Sequence, residues 1–136
     1  MPIEDDNTLR TILRRTRTIA VVGASPKPGR DSGRIAQFLA DQGYSVVAVN
    51  PLYTEVLRLH CYPDLRSVRE NIDLVDIFRR SEEVLPIVDE AVGVGAKTIW
   101  MQLGVVNQEA AKRGEKAGLQ VVMDRCMRIE YRRLIK

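Results

Sequence analysis

Five short apolar runs, each separated from the next by a longer amphipathic or polar stretch, constrain this chain more than any other feature. The runs are Thr18–Val22 (TIAVV), Ser45–Val49 (SVVAV), Leu74–Phe78 (LVDIF), Thr98–Met101 (TIWM) and Gln120–Met123 (QVVM). They are brief and rich in β-branched residues, the pattern of strands buried on both faces. Ser32–Gln42 sets Ile35, Phe38 and Leu39 on one helical stripe and stops at Gly43. Ser81-Glu82-Glu83 opens a second helix carrying Val84, Ile87, Val88, Ala91 and Val92. Asn107 caps a third, with Glu109 early and Lys112, Arg113 and Lys116 late, as the helix dipole favours. Strand–helix–strand repetition at this spacing predicts an α/β fold with a parallel sheet and right-handed crossovers. The expected architecture is a five-stranded parallel sheet in order 3-2-1-4-5 with helices on both faces. A leading helix over about 4–15 and a closing one near Met127–Leu134 complete it. The segment Tyr53–Val68 suggests only a short helix near its end.

At 136 residues the chain supports a single domain, with its core over 18–134. Hydrophobic residues make up 45% and charged residues 29%, ordinary values for a globular protein. No apolar run approaches the roughly 18 residues of a membrane span. The acidic start, Met1-Pro2-Ile3-Glu4-Asp5-Asp6, does not read as a signal peptide. Two cysteines, Cys61 and Cys126, are too few for a disulfide scaffold. A cytoplasmic protein is therefore expected. Net charge is only +3, and the arginines near both termini belong to no recognisable nucleic-acid module, so no nucleic-acid partner and no membrane partner is expected.

Ligands of open α/β sheets bind at the carboxyl ends of the strands, where strand order reverses. The loop after the first run, Gly23-Ala24-Ser25-Pro26-Lys27-Pro28-Gly29-Arg30, carries glycines, a hydroxyl and two cations into a helix start. A helix N-terminus reinforced by Lys or Arg suits phosphate. It is not the dinucleotide fingerprint, because Ser25 and Pro28 stand where its second and third glycines belong. The second run ends in Asn50, not the carboxylate that NAD ribose usually meets, so ordinary NAD binding is disfavoured. Arg79-Arg80 follow the third run, and Gln102 ends the fourth with a side-chain amide suited to an amide-bearing ligand. No catalytic residues and no metal ligands are expected: the lone His60 sits in a loop, and no cluster has ligand spacing.

Six blocks carry a family resemblance: IAVVGASPKPGR (19–30), GYSVVAVNP (43–51), CYPDL (61–65), VDIFRR (75–80), GAKTIWMQLGVVNQEAA (95–111) and AGLQVVMDRC (117–126). Together they resemble the small single-domain CoA-binding proteins, which are similar to the N-terminal CoA-binding domain of the succinyl-CoA synthetase α subunit. The resemblance implies a Rossmann-like fold and coenzyme A, or an acyl-CoA, at the strand carboxyl ends. By that resemblance Gly23, Ala24, Ser25, Lys27 and Arg30 line the phosphate loop. Asn50 and Pro51 meet the nucleotide end, Phe78 and Arg79 border the adenine or pantetheine path, and Met101 and Gln102 border the pantetheine arm. The family tends to carry a basic residue after the Asn-Pro pair, where this chain has Leu52, and a larger residue at Gly33. Such a module is expected to bind CoA without catalysis of its own. The alternative is a subunit of an acyl-CoA-processing enzyme that needs a protein partner. Cys126, beyond the fifth run, is a candidate for a mixed disulfide with CoA, set against a buried packing role.

Overall fold

A computed structural model describes residues 1–135. The chain runs α1 (Asp6–Arg15), β1 (Thr18–Val22), α2 (Asp31–Asp41), β2 (Ser45–Val49), β3 (Glu55–Val56), β4 (Leu59–Tyr62), β5 (Leu74–Ile77), α3 (Val84–Gly93), β6 (Thr98–Met101), α4 (Gln108–Lys116), β7 (Gln120–Val122) and α5 (Met127–Leu134). Short 3-10 turns over Leu65–Ser67 and Ser81–Glu83 precede β5 and α3. All five predicted strands form, three of them with the predicted limits.

The sheet has seven strands in order β3-β4-β2-β1-β5-β6-β7, parallel except for the β3–β4 hairpin. This corrects the expected five strands and their order. The run at Leu74–Ile77 pairs directly with β1, Ile19 opposite Leu74, so it is not the neighbour of β2. That place is taken by β4, with Ala48 opposite Cys61. Counting β4 as the third parallel strand restores a 3-2-1-4-5 order, extended by β7. The hairpin is easily overlooked because its two-residue turn, Leu57-Arg58, holds φ values of 46° and 74° without glycine or asparagine. Those are the positive angles that tight hairpins demand and that Asn-Gly usually advertises.

Alternation along the parallel strands divides the core in two. Ala20, Val22, Val75, Ile77, Ile99 and Met101 face α3 and α4. Ile19, Val21, Leu74 and Trp100 face the layer of α1, α2 and α5. The outer helices are tied together by ions: Arg133 of α5 bridges Asp6 of α1 at 2.8 Å and Glu130 at 2.6 Å. The strand order reverses between β1 and β5, which leaves a crevice at their carboxyl ends, as open doubly wound sheets require.

Candidate functional site at the strand carboxyl ends

A cleft of about 640 Å³ occupies that crevice, within the size range of small-molecule sites. Its lining follows the edge of the sheet. Asn50, Leu52 and Tyr53 come from the β2 end, Gly23, Ser25, Lys27, Arg30, Asp31 and Ser32 from the β1–α2 loop, Phe78, Arg79, Arg80 and Glu83 from the β5 end, and Gln102, Leu103 and Val105 from the β6 end.

Gly23 makes the turn possible. Its φ is +89°, and a Cβ there would lie 2.3 Å from the Phe78 carbonyl oxygen. Only glycine lets β1 and β5 end side by side with this curvature. Gly33 plays a comparable part in the first turn of α2, where a Cβ would lie 2.3 Å from the Ser25 carbonyl oxygen. The position that departs from the family pattern is thus a close approach of backbone to backbone. The loop between is pre-folded: Ser25 N–H donates to Ser32 Oγ at 3.0 Å, and Lys27 N–H to Ser25 Oγ at 3.2 Å. Arg30 is the N-cap of α2 and supplies no side-chain cap, so first-turn N–H groups remain for an anion at the positive end of the helix dipole.

Asn50 is only 7% exposed, and both ends of its amide are engaged. Nδ2 donates to the Ala24 carbonyl at 3.0 Å, and Oδ1 accepts from Leu52 N–H at 2.9 Å. The side chain thereby pins the β2 loop to the β1 loop. A carboxylate could not donate to Ala24, which gives a structural reason for asparagine where NAD-binding folds place an acid. Arg79 is paired with Glu83, Nε to Oε2 at 3.1 Å and Nη2 to Oε1 at 3.3 Å. Gln102 is 6% exposed, and its Oε1 has no protein partner among the described residues.

Of the predicted site residues, the cleft brings together Gly23, Ser25, Lys27, Arg30, Asn50, Phe78, Arg79 and Gln102. Ala24 is buried behind the loop and contributes its carbonyl to Asn50. Pro51 is exposed beside the cleft and outside its lining. Met101 is fully buried on the α3/α4 side, as strand alternation requires one residue before Gln102. Cys126 stands at the N-cap position of α5 without a side-chain capping bond, is 5% exposed and lies outside the lining, the arrangement of a packed thiol. Asp31, Ser32 and Arg80 line the cleft without having been predicted, and Tyr53, Glu83, Leu103 and Val105 were missed as well. The latter four follow the strand ends by a few residues, and only loop geometry turns them inward. Leu52, 78% exposed, stands at the rim with no charge to offer.

A family model described as a CoA binding domain matches residues 17–132. The chain belongs to this CoA-binding domain family. The uncharacterized protein YneT of Bacillus subtilis is 35% identical over 123 residues, covering 90% of this chain and 91% of that protein. A hypothetical protein of Pyrococcus horikoshii OT3, solved as a structure, matches with a TM-score of 0.95 and 41% identity over 100% of this chain and 97% of its own. ADP-forming acetate–CoA ligase I of Archaeoglobus fulgidus is 29% identical over 121 residues. The match takes in 82% of this chain but only 18% of the ligase. The CoA-binding domain therefore recurs both nearly alone and as a small part of a longer enzyme.

Proposed function

We propose that the protein binds coenzyme A, or an acyl-CoA, reversibly in the cleft and performs no chemistry by itself. The observation that carries this reading is the order of chemistry along the sheet edge. Tyr53 and Leu52 offer an uncharged platform at the β2 end. Lys27, Arg30, Arg79 and Arg80 line the middle, with Asp31, Glu83 and the uncapped start of α2. Gln102, Leu103 and Val105 form an uncharged, amide-bearing far end. Adenosine, diphosphate and pantetheine amides succeed one another in the same order. The diphosphate takes Arg30 and the helix start, and Arg79 exchanges Glu83 for phosphate oxygen. No cation stands at Leu52, so a 3′-phosphate there faces solvent.

Family membership and the ligase relative support the same ligand. The ligase also favours a second reading, that the module serves a partner protein which supplies catalysis. Calorimetry with CoA and NAD tests the first: CoA is expected to bind more tightly, and NAD affinity equal or tighter overturns it. Incubation of the protein alone with acetate, CoA and ATP is expected to yield no acetyl-CoA, ADP and phosphate. Turnover by the isolated chain would reject the non-catalytic assignment.

A further inference from the structure

Two buried polar groups near the cleft floor have unpartnered atoms. Both carboxyl oxygens of Asp76 lack a hydrogen-bond partner among the described residues, and the residue is 0% exposed. The Oε1 of Gln102 is the other orphan. In the sheet register Asp76 lies between Val21 and Trp100. It alternates with Val75 and Ile77, so it shares the face of Leu74 and Trp100. The ladder continues beyond the strands, with Phe78 N–H donating to the Val22 carbonyl and Gln102 N–H to the Ile77 carbonyl. Phe78 and Gln102 therefore sit on the Asp76 face one pleat nearer the cleft, roughly 6.6 Å along the strands. Gln102 is the diagonal neighbour of Asp76 across β5 and β6, a separation that long side chains span.

An isolated buried carboxyl costs least when it keeps its proton. Burial indeed pushes the Asp76 carboxyl well above the usual carboxylate range. A protonated acid has a hydrogen to donate and a carboxylate has none. The neighbouring indole cannot meet the need, because Trp100 Nε1 already donates to the Arg125 carbonyl at 2.8 Å.

We propose that Asp76 is a positioning residue for the CoA site: as an uncharged acid it donates to the buried Oε1 of Gln102 when ligand binds, which turns the Gln102 N–H groups outward to a carbonyl acceptor on the ligand's arm. The inference rests on the CoA reading and deepens it. The ligand class it selects carries an uncharged amide at the β6 end of the cleft.

The test compares calorimetric affinities for CoA and for adenosine 3′,5′-bisphosphate, which lacks the arm, in three proteins. Asp76→Leu, which cannot donate, is expected to weaken CoA about fivefold to tenfold, the worth of one neutral hydrogen bond, and to leave the bisphosphate unchanged. Asp76→Asn still donates an N–H and is expected to bind both ligands within about twofold of the original protein. Equal loss of both ligands in Asp76→Leu, no loss of CoA, or failure of Asp76→Asn to rescue would each overturn the proposal. Should Asp76→Leu not fold, Gln102→Met decides: selective loss of CoA supports the subsite, and unchanged CoA affinity removes it. Absence of CoA binding by the original protein sinks the CoA reading itself, whereas intact binding without the ligand split sinks only the role of Asp76.

Discussion

Gly23→Ala strikes the point where the fold and the site meet. The new Cβ would stand 2.3 Å from the Phe78 carbonyl oxygen and 2.9 Å from Arg79 Cδ, where ordinary contacts begin at 3.4 Å. The ends of β1 and β5 must part by about 1 Å, in an interior that is close-packed. One ladder bond crosses this junction, Phe78 N–H to the Val22 carbonyl, and another, Gly23 N–H to the Val49 carbonyl, ties the same turn to β2, each 2.8 Å. Holding alanine at φ +89° costs about 1–2 kcal/mol, and weakening one ladder bond adds about 1 kcal/mol. A loss of about 2–3 kcal/mol lowers Tm by about 7–10 °C in a domain of this size. The same shift moves Phe78 and Arg79 relative to the β1 loop, so CoA should bind at least about tenfold more weakly, since small misplacements are costly in a preorganised site. Thermal unfolding followed by circular dichroism and calorimetry with CoA measure both effects. Gly29→Ala is the control, because a Cβ there meets nothing within 4 Å. A Tm within about 2 °C of the original, with CoA affinity intact, would refute the steric argument.

Arg30→Ala removes a cation from the start of α2 and should weaken CoA about tenfold, the value of a charge-assisted hydrogen bond; unchanged calorimetric affinity in the folded variant takes Arg30 out of the site. Asn50→Asp deprives the Ala24 carbonyl of its donor and places a charge in a 7% exposed position, so urea denaturation should register a loss of about 1–3 kcal/mol, and a neutral result would mean that Asn50 does not pin the two loops. Burial raises the Asp76 carboxyl above its ordinary 3.8, so its contribution is fully present below that value and is lost as pH climbs through the raised folded value. Asp76→Asn should abolish this decline with rising pH, and parallel pH–stability curves for the two proteins would contradict it. Cys126, at 5% exposure, should form no dithiothreitol-reversible adduct with CoA disulfide in the native protein; an adduct seen by intact mass that vanishes only in Cys126→Ser would overturn its packing role.

Much of the fold is legible because local signals agree with tertiary demand. Thr18–Val22, Ser45–Val49 and Thr98–Met101 are strands with the predicted limits, since β-branched runs flanked by glycine or polar turns leave little else for the backbone to do. Asn107 caps α4 as expected, accepting from Ala110 N–H at 2.9 Å. The short helix foreseen late in Tyr53–Val68 is the 3-10 turn over Leu65–Ser67. Strand order was not legible. The β3–β4 hairpin is two and four residues long, has no recognisable turn chemistry, and owes its place to an open hydrogen-bonding edge on β2.

For the site, the sequence by itself determined where ligand chemistry is concentrated. A glycine-led loop with Lys27 and Arg30 leads into a helix, with Arg79 and Gln102 at other strand ends, and a parallel sheet sends all those ends to one edge. It also determined that the fingerprint of ordinary NAD folds is absent. Tertiary structure alone decided which neighbours face the cleft. One residue separates Met101 from Gln102, yet strand alternation buries the first under α3 and α4 and turns the second to the cleft edge. Asn50 ties two loops together through a carbonyl 26 residues away, and Asp76 becomes a lone buried acid only because β1 and β6 enclose β5. Local preference acts over a few residues and is written in composition and period. Hydrogen-bond partners and burial arise from segments far apart in the chain, and they exist only once the sheet has closed.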